Sequence, residues 1–178
     1  MFERTVKLIG NDNLKKIKTK CVCVVGLGGV GGIAVESLVR SGIEKIIIID
    51  YDIIDISNLN RQIITNINNI GNKKVIEMHK RIKSINDNCE VIMIDIIINN
   101  DNIDIIFKNK IDYLIDACDS LFTKQLLISK CIENNVKIIS CMATGNKIDP
   151  SKLEITDIRK TSYDPLAKKI RKHICVNH

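Results

Sequence analysis

The sequence predicts an α/β fold of the Rossmann-like class, in which a mostly parallel sheet carries helices on both faces. Three observations lead to this prediction. Short apolar runs rich in β-branched residues alternate along the chain with longer segments of helical spacing. The short runs are apolar at nearly every position, which is typical of strands buried on both faces of a parallel sheet. A glycine-rich segment joins the first of these runs to the first strongly apolar helical segment.

The individual elements follow from the same patterns. The first strand is predicted over residues 20–25, which end in glycines, and the next helix over residues 30–41. Gly42 is expected to end that helix, and Pro165 is expected to begin the last one. Further strands are predicted over residues 45–50, 90–94, 113–116 and 136–141, and further helices over residues 73–85, 101–108, 120–134 and 166–173.

Length and composition predict a single folded domain over residues 1–178. The chain has 178 residues, 45% of them hydrophobic and 27% charged, which excludes an intrinsically disordered protein. It has no apolar run long enough to span a membrane and no secretory signal at its start, so we expect no membrane contact and a cytoplasmic location. Seven scattered cysteines without a Cys-x-x-Cys pair argue against a disulfide framework and a tetracysteine zinc site.

Positive charge is concentrated near the C-terminus. Residues 151–178 contain seven basic and three acidic side chains, and so carry +4 of the net charge of +6. We interpret this stretch as a basic C-terminal extension of the domain. Two readings remain open for it: attraction of a polyanion such as RNA, or an ordinary solvated helix face.

The glycine-rich segment predicts a nucleotide site. It reads Gly-Leu-Gly-Gly-Val-Gly from Gly26 and lies between a predicted strand and a predicted helix. Gly26, Gly28, Gly29 and Gly31 would let the backbone turn and approach phosphates at the start of the helix. Asp50 closes the next strand, where a carboxylate can accept hydrogen bonds from ribose hydroxyls. These features do not identify the nucleotide, and an NAD-dependent oxidoreductase is the first rival.

Polar residues beyond the second strand favour a triphosphate over a dinucleotide. The segment contains Asp52, Asn58, Asn60, Arg61 and Gln62, which a dinucleotide enzyme does not need. Arg61 can grip phosphate oxygens with two hydrogen bonds.

Three more residues complete the predicted site. Lys74, just inside the next helix, adds a second positive charge. Asp116 and Asp119 follow another strand and are expected to emerge at the ligand-binding edge of the sheet, where they suit Mg²⁺ bridging phosphates. The alternative for Asp119 is a cap on the helix that follows it.

These residues resemble a known family. The segments GLGGVGG, IIIIDYD, NLNRQ, GNKKV and IDACDS are similar, in this order, to the adenylating domain of the ubiquitin-activating-enzyme superfamily, which includes the activators of sulfur-carrier proteins. The resemblance extends over about residues 4–171. Residues 2–5, 143–150 and 160–167 are similar to members of the superfamily that modify tRNA.

The resemblance implies an activity and roles for particular residues. The activity is ATP-dependent closure of the threonylcarbamoyl group on an adenosine beside the tRNA anticodon. Gly28 and its neighbours would hold the phosphates, Asp50 the ribose, and Asp119 Mg²⁺, while Asn60, Arg61 and Lys74 would contact the triphosphate. Arg4 matches an arginine that reaches an ATP site across a dimer interface, so a homodimer is expected. Because family members are usually longer, we expect residues 151–178 to be a truncated extension.

Several alternatives remain open. The second candidate function is adenylation of the C-terminus of a ubiquitin-like sulfur carrier. In a more specific version of this function, Cys118 or Cys141 forms a thioester. An NAD-binding oxidoreductase is a distant third, and a nonenzymatic ATP-binding scaffold is a further possibility. A protein that relays sulfur or electrons is kept open as a partner. His79, His173 and His178 are interpreted as surface residues.

Overall fold

The predicted fold class is confirmed by a computed structural model that describes residues 1–145 and 147–177. Five parallel strands form one sheet in the order β3-β2-β1-β4-β5. Asn146, part of one family-like segment, and His178, interpreted as a surface residue, lie outside the described residues.

The element bounds are as follows. The strands are β1 (Cys21–Val25), β2 (Lys45–Ile49), β3 (Glu90–Ile94), β4 (Tyr113–Asp116) and β5 (Lys137–Ser140). The α-helices are α1 (Glu3–Ile9), α2 (Asn11–Lys18), α3 (Gly31–Ser41), α4 (Lys74–Ile85), α5 (Asp104–Phe107), α6 (Leu121–Glu133) and α7 (Pro165–Asn177). Single 3₁₀ turns cover Ile56–Asn58, Ile67–Asn69, Pro150–Lys152 and Ile158–Lys160.

Each predicted strand is present and begins and ends within one residue of its prediction. Helix α5 is shorter than predicted, because residues 99–103 form turns in which Asn99 and Asn102 side chains bind backbone amides. Helices α1 and α2 were not predicted. Both helices precede residue 20, where the first strand pattern of the sequence begins.

Two apolar cores flank the sheet and explain the fully apolar strands. Along β1, Cys21, Cys23 and Val25 face the core beneath α5 and α6, and Val22 and Val24 face the core beneath α3 and α4. Because neighbouring positions point to opposite faces, every residue of this strand must be apolar to be buried. Burial of both faces holds the helices at fixed positions around the carboxyl edge of the sheet.

Helix α3 ends at Gly42, as predicted, and this end anchors α1 and α2. Gly42 has φ of +111° and donates its N–H to Leu38 and Val39. A Cβ atom at Gly42 would lie 2.7 Å from Leu14 Cδ1, so α2 packs directly on this glycine. Because α3 runs from the carboxyl edge to the amino edge of the sheet, α1 and α2 lie at the amino edge.

The last helix packs on α6. Ala167 and Ile170 of α7 are fully buried, and Ser129 Oγ of α6 lies 3.2 Å from His173 Nε2. His173 and His79, both predicted to be surface residues, are half-buried. Among the described residues, no helix has the length and apolar character that crossing a membrane requires.

A buried ion pair joins the carboxyl ends of β4 and β5. Lys124 of α6 donates to both carboxylate oxygens of Asp116, at 3.1 Å each, and to the carbonyl oxygen of Cys141 at 2.7 Å. Both side chains are almost completely buried. The hydroxyl of Ser140 donates a further hydrogen bond to Asp116. Lys124 therefore fixes the loops that follow both strands relative to α6.

We expect Lys124→Met to destabilise the protein strongly. The substitution keeps most of the side-chain volume but leaves the Asp116 carboxylate buried without a counter-charge, which costs about 3–5 kcal/mol of unfolding free energy. The double variant Asp116→Asn/Lys124→Met should recover part of this loss, because the unpaired charge is gone. Urea unfolding at neutral pH measures both effects.

Lys130→Met is the matched control for this prediction. Lys130 lies on the same helix, but it pairs with Asp104 and Glu133 at the surface. Its substitution should change stability much less. Equal losses for the Lys124 and Lys130 variants would contradict a special role for the buried pair.

Candidate active site

The glycine loop lies at the point where the strand order reverses. β1 pairs with β2 on one side and with β4 on the other, and ligands of such sheets bind at the carboxyl ends of these strands. Gly26 has φ of +88°, and a Cβ atom there would lie 2.8 Å from the carbonyl oxygen of Ala117, just after β4. A Cβ atom at Gly31 would lie 1.8 Å from the carbonyl oxygen of Gly26. Glycine is therefore required at both positions.

The same loop offers free amides at the start of α3. The N–H groups of Gly28 and Gly29 donate no hydrogen bond to the described residues, and no side chain caps the helix. A Cβ atom at Gly28 would meet only Gln62 Nε2, at 3.9 Å, so the space above this residue is open. Free amides at a helix N-terminus form an anion site. The geometry is suited to phosphate oxygens.

Asp50 accepts hydrogen bonds from two backbone amides, one of which belongs to the glycine loop. Its Oδ2 accepts from Leu27 N at 2.7 Å, and its Oδ1 accepts from Asp52 N at 2.8 Å. Burial raises the pKa of this carboxyl, while these two hydrogen bonds and the charge of Lys74 oppose that rise. Each carboxylate oxygen retains a further lone pair, which can accept a hydrogen bond from a ribose hydroxyl.

Lys74 lies beside this carboxylate and is already paired. Its ammonium is buried and donates to Asp52 Oδ2 at 2.7 Å, and its backbone N–H donates to the Asp52 carbonyl. The two residues are therefore brought together as one pair at the carboxyl edge, 22 positions apart in sequence. A phosphate that contacts Lys74 must share it with Asp52.

Asn58 stabilises the polar segment instead of facing open space. It is buried, and its Oδ1 accepts from Asp55 N at 3.1 Å while Asp55 Oδ1 accepts from Ser57 N. The Asn58 carbonyl accepts from the backbone N–H groups of Arg61 and Gln62. The structure thus gives Asn58 a role in shaping this turn, and its side-chain oxygen already has a partner.

Arg61 and Gln62 lie against the glycine loop. A Cβ atom at Gly29 would be 3.6 Å from Arg61 Cγ, and the Arg61 Nη1 donates to Ser57 O and Asn60 Oδ1, both at 2.9 Å. Arg61 and Asn60 are exposed. Gln62 is buried, and its Oε1 has no hydrogen-bond partner. An exposed guanidinium and an unpaired buried amide oxygen beside free amides fit the polar groups of a nucleotide.

The structure corrects the prediction for Asp116 and separates it from Asp119. Asp116 does not emerge at the edge of the sheet but is fully buried. Its carboxylate pairs with Lys124 of α6, a partner that the sequence did not reveal. It has no exposed surface for a ligand to contact. Asp119 is exposed and forms no hydrogen bond or ion pair with the described residues.

The alternative of Asp119 as a helix cap is wrong. The hydroxyl of Ser120 caps α6 by accepting from Thr123 N at 3.2 Å. The Asp119 carboxylate therefore stays available for a ligand. In the described part of the chain, no three His, Cys, Asp or Glu side chains form a metal-binding group. One free carboxylate still fits Mg²⁺, because this ion commonly combines one or two carboxylates with substrate phosphates and water.

Lys124 is the residue that sequence reasoning missed. A signal for its burial was present, because it lies three, four and seven positions before Leu127, Ile128 and Cys131, which form the buried stripe of α6. A lysine on such a stripe requires a buried acidic partner. The partner could not be identified without knowing that α6 packs against the end of β4.

Neither nearby cysteine has the environment of a nucleophile. Cys118 Sγ lies 3.0 Å from Asp116 Oδ1, and burial, followed by the charge of Asp116, raises the thiol pKa far above its usual range. Burial also raises the pKa of Cys141. A thioester requires the thiolate. Both side chains are therefore protonated at neutral pH and suited to packing and weak hydrogen bonding.

Arg4 lies far from this site in the fold. It is exposed on α1, which with α2 occupies the amino edge, whereas the glycine loop lies at the carboxyl edge. The structure therefore does not bring Arg4 together with the other predicted site residues of the same chain.

Comparisons with known proteins identify several similar chains. The chain is 39% identical over 170 residues to a Bacillus subtilis protein named tRNA threonylcarbamoyladenosine dehydratase. The match covers 96% of this chain and 67% of that protein. It is 38% identical over 173 residues to an Escherichia coli protein of the same name, covering 97% of this chain and 65% of the relative. The chain thus spans about two thirds of the length of these relatives.

A solved structure of an E. coli tRNA N6-threonylcarbamoyladenosine dehydratase in complex with ATP superposes with a TM-score of 0.95. Its sequence is 38% identical, and the match covers 99% of this chain and 72% of that one. The model of the ThiF family matches residues 2–167. The chain therefore belongs to the ThiF family.

Proposed function

We propose that this chain is an enzyme that uses ATP to activate the carboxylate of threonylcarbamoyladenosine beside the anticodon of tRNA and closes it into a ring. The observation that carries the proposal is the pair of free amides at Gly28 and Gly29, with Arg61 lying directly against Gly29. The two relatives at 38–39% identity, which carry the dehydratase name, support the choice of substrate. We also propose a cytoplasmic location, a compartment in which tRNA is present.

Each part of ATP has its own binding residues along the carboxyl edge of the sheet. The free amides of Gly28 and Gly29 donate to phosphate oxygens, and Asp50 accepts from the ribose. Arg61 neutralises phosphate charge at the outer side of the loop, with Asn60 holding its guanidinium. Asp119 would hold Mg²⁺, which supplies positive charge to the phosphates when bound. Residues 1–178 act as one adenylating domain, with residues 151–178 as its basic extension.

The reaction makes a poor electrophile reactive. An oxygen of the threonyl carboxylate attacks a phosphorus of ATP, and pyrophosphate or ADP leaves according to which phosphorus is attacked. The neighbouring carbamoyl group, which loses a proton, then attacks the acyl carbon and displaces AMP or phosphate. The nucleoside loses one water in total. No side chain needs to act as a nucleophile, so the protein positions reactants and stabilises phosphate charge.

A mass measurement tests the function. The protein is incubated with ATP, Mg²⁺ and tRNA that carries threonylcarbamoyladenosine, and the nucleosides are analysed by mass spectrometry. The proposal predicts the loss of one water and the consumption of ATP. Adenylation of a carrier protein ending in Gly-Gly, without change to the tRNA, would support the second function instead. Binding of NADH would support the oxidoreductase.

We expect Arg61→Ala and Asp119→Asn to lower turnover roughly 10²–10³-fold, because each removes charge that stabilises the transition state. Both side chains are exposed, so the fold should be retained, and thermal unfolding checks this. Arg40→Ala and Asp12→Asn are matched controls: Arg40 pairs with Glu36 at the far end of α3, and Asp12 is exposed on α2. Near-normal turnover in the Arg61 or Asp119 variant would contradict the assigned role.

We further propose that the chain forms a homodimer in which Arg4 contacts the nucleotide bound to the partner. The distance of α1 from the glycine loop in its own chain supports this arrangement. Exposed apolar side chains near the site, including Ile53, Ile56 and Ile67, offer a surface that a second copy can cover.

Mixed dimers test the position of Arg4. An equal mixture of the Arg4→Ala and Asp119→Asn variants should regain about a quarter of wild-type turnover, because one site of each mixed dimer has both residues intact. An equal mixture of Arg61→Ala and Asp119→Asn, which damage the same site, should regain nothing. If Arg4 acts within its own chain, the first mixture stays as inactive as the second.

A further inference from the structure

A cavity lies beside the candidate site, on the β5 side of Asp119. It has a volume of about 360 Å³, and apolar atoms of Leu121, Ala143 and Leu166 contribute to its walls. Leu121 follows Asp119 by two positions, and Ala143 follows β5, the neighbour of β4. The cavity therefore opens at the same edge of the sheet as the glycine loop. Its size is within the range of sites for small organic groups, including a nucleoside.

Two lysines line this cavity and have different environments. Lys147 donates to Asp164 Oδ2 at 3.1 Å and to the carbonyl oxygen of Ala143. Asp164 in turn accepts from Ala167 N at 2.9 Å at the start of α7. Lys147 is thus neutralised and ties the segment after β5 to α7. This clamp forms one side of the cavity.

Lys169 is the cavity's unpaired positive charge. It is exposed on α7 and has no ion pair or hydrogen bond with the described residues. Lys172 is also exposed, and residues three positions apart lie on the same face of a helix. The mouth of the cavity therefore continues into a row of positive charge along α7, within the stretch that carries most of the chain's net charge.

We propose that Lys169 and Lys172 bind phosphates of the tRNA backbone and so place the modified nucleoside in this cavity, next to Asp119. The assignment to tRNA rests on the proposed function. Apolar walls suit a base and its substituent, and unpaired lysines in a row suit successive phosphates. The carboxylate of the nucleoside is a second anion that Lys169 could contact. The experiment separates the two sources.

Binding of tRNA, measured without ATP at several salt concentrations, tests this proposal. Two tRNAs are compared: one that carries threonylcarbamoyladenosine and the same transcript with unmodified adenosine. We expect Lys169→Gln to weaken binding of both tRNAs by a similar factor and to reduce the slope of log affinity against log salt by about one. Lys169→Gln/Lys172→Gln should reduce the slope by about two.

Lys110→Gln is the matched control, because Lys110 is an exposed lysine just before β4, at the amino edge of the sheet. It should leave affinity and slope close to wild type. Thermal unfolding checks that all variants are folded. Loss confined to the modified tRNA would overturn the phosphate assignment in favour of the carboxylate. An unchanged slope in Lys169→Gln, or no salt-dependent binding by the wild type, would overturn the inference as a whole.

These results are distinguishable from a failure of the proposed function. Binding is measured without turnover, so the proposed function fails when the wild-type protein binds the modified tRNA but removes no water from it. The inference fails when the wild-type protein removes water and the Lys169 variant binds both tRNAs as the wild type does.

Discussion

The glycine loop can lie against the end of β4 only because Gly26 and Gly31 carry no side chain. A Cβ atom at Gly26 would contact the Ala117 carbonyl at 2.8 Å, and one at Gly31 would overlap the Gly26 carbonyl. This close packing brings the end of β1, the start of α3 and the loop after β4 to one point. The free amides, the Asp50 carboxylate and the Asp119 carboxylate all depend on that arrangement for their positions.

Charge around this point is arranged in two layers. The inner layer is the buried pair of Asp116 and Lys124, which is satisfied within the protein and holds the loops after β4 and β5. The outer layer consists of two exposed groups: Arg61, which lies against Gly29, and Asp119, which follows β4. A satisfied inner layer leaves the outer groups as the ones that respond to a ligand. Burial, followed by the charge of Asp116, raises the pKa of the adjacent Cys118 thiol and keeps it protonated, which favours chemistry without a covalent enzyme intermediate.

The strands and the glycine loop could be predicted from the sequence, because local residue patterns determine both. Each strand was predicted because burial on both faces requires an apolar residue at every position, and the loop was predicted because its glycines lie between a strand and a helix. The two departures have different causes, one a contact between distant segments and the other a contact within a turn. Asp116 was expected at the surface because its partner, Lys124, lies on a helix whose packing the sequence does not specify. Asn58 was expected to face a ligand, but its oxygen closes a turn with Asp55.

A structure of the protein crystallised with ATP and Mg²⁺ tests the central claim most directly. The account predicts phosphate oxygens about 3 Å from the Gly28 and Gly29 amides, the guanidinium of Arg61 on the phosphates, Asp119 on the metal ion, and the ribose at Asp50. A nucleotide bound elsewhere, or Arg61 and Asp119 directed away from it, would contradict the account.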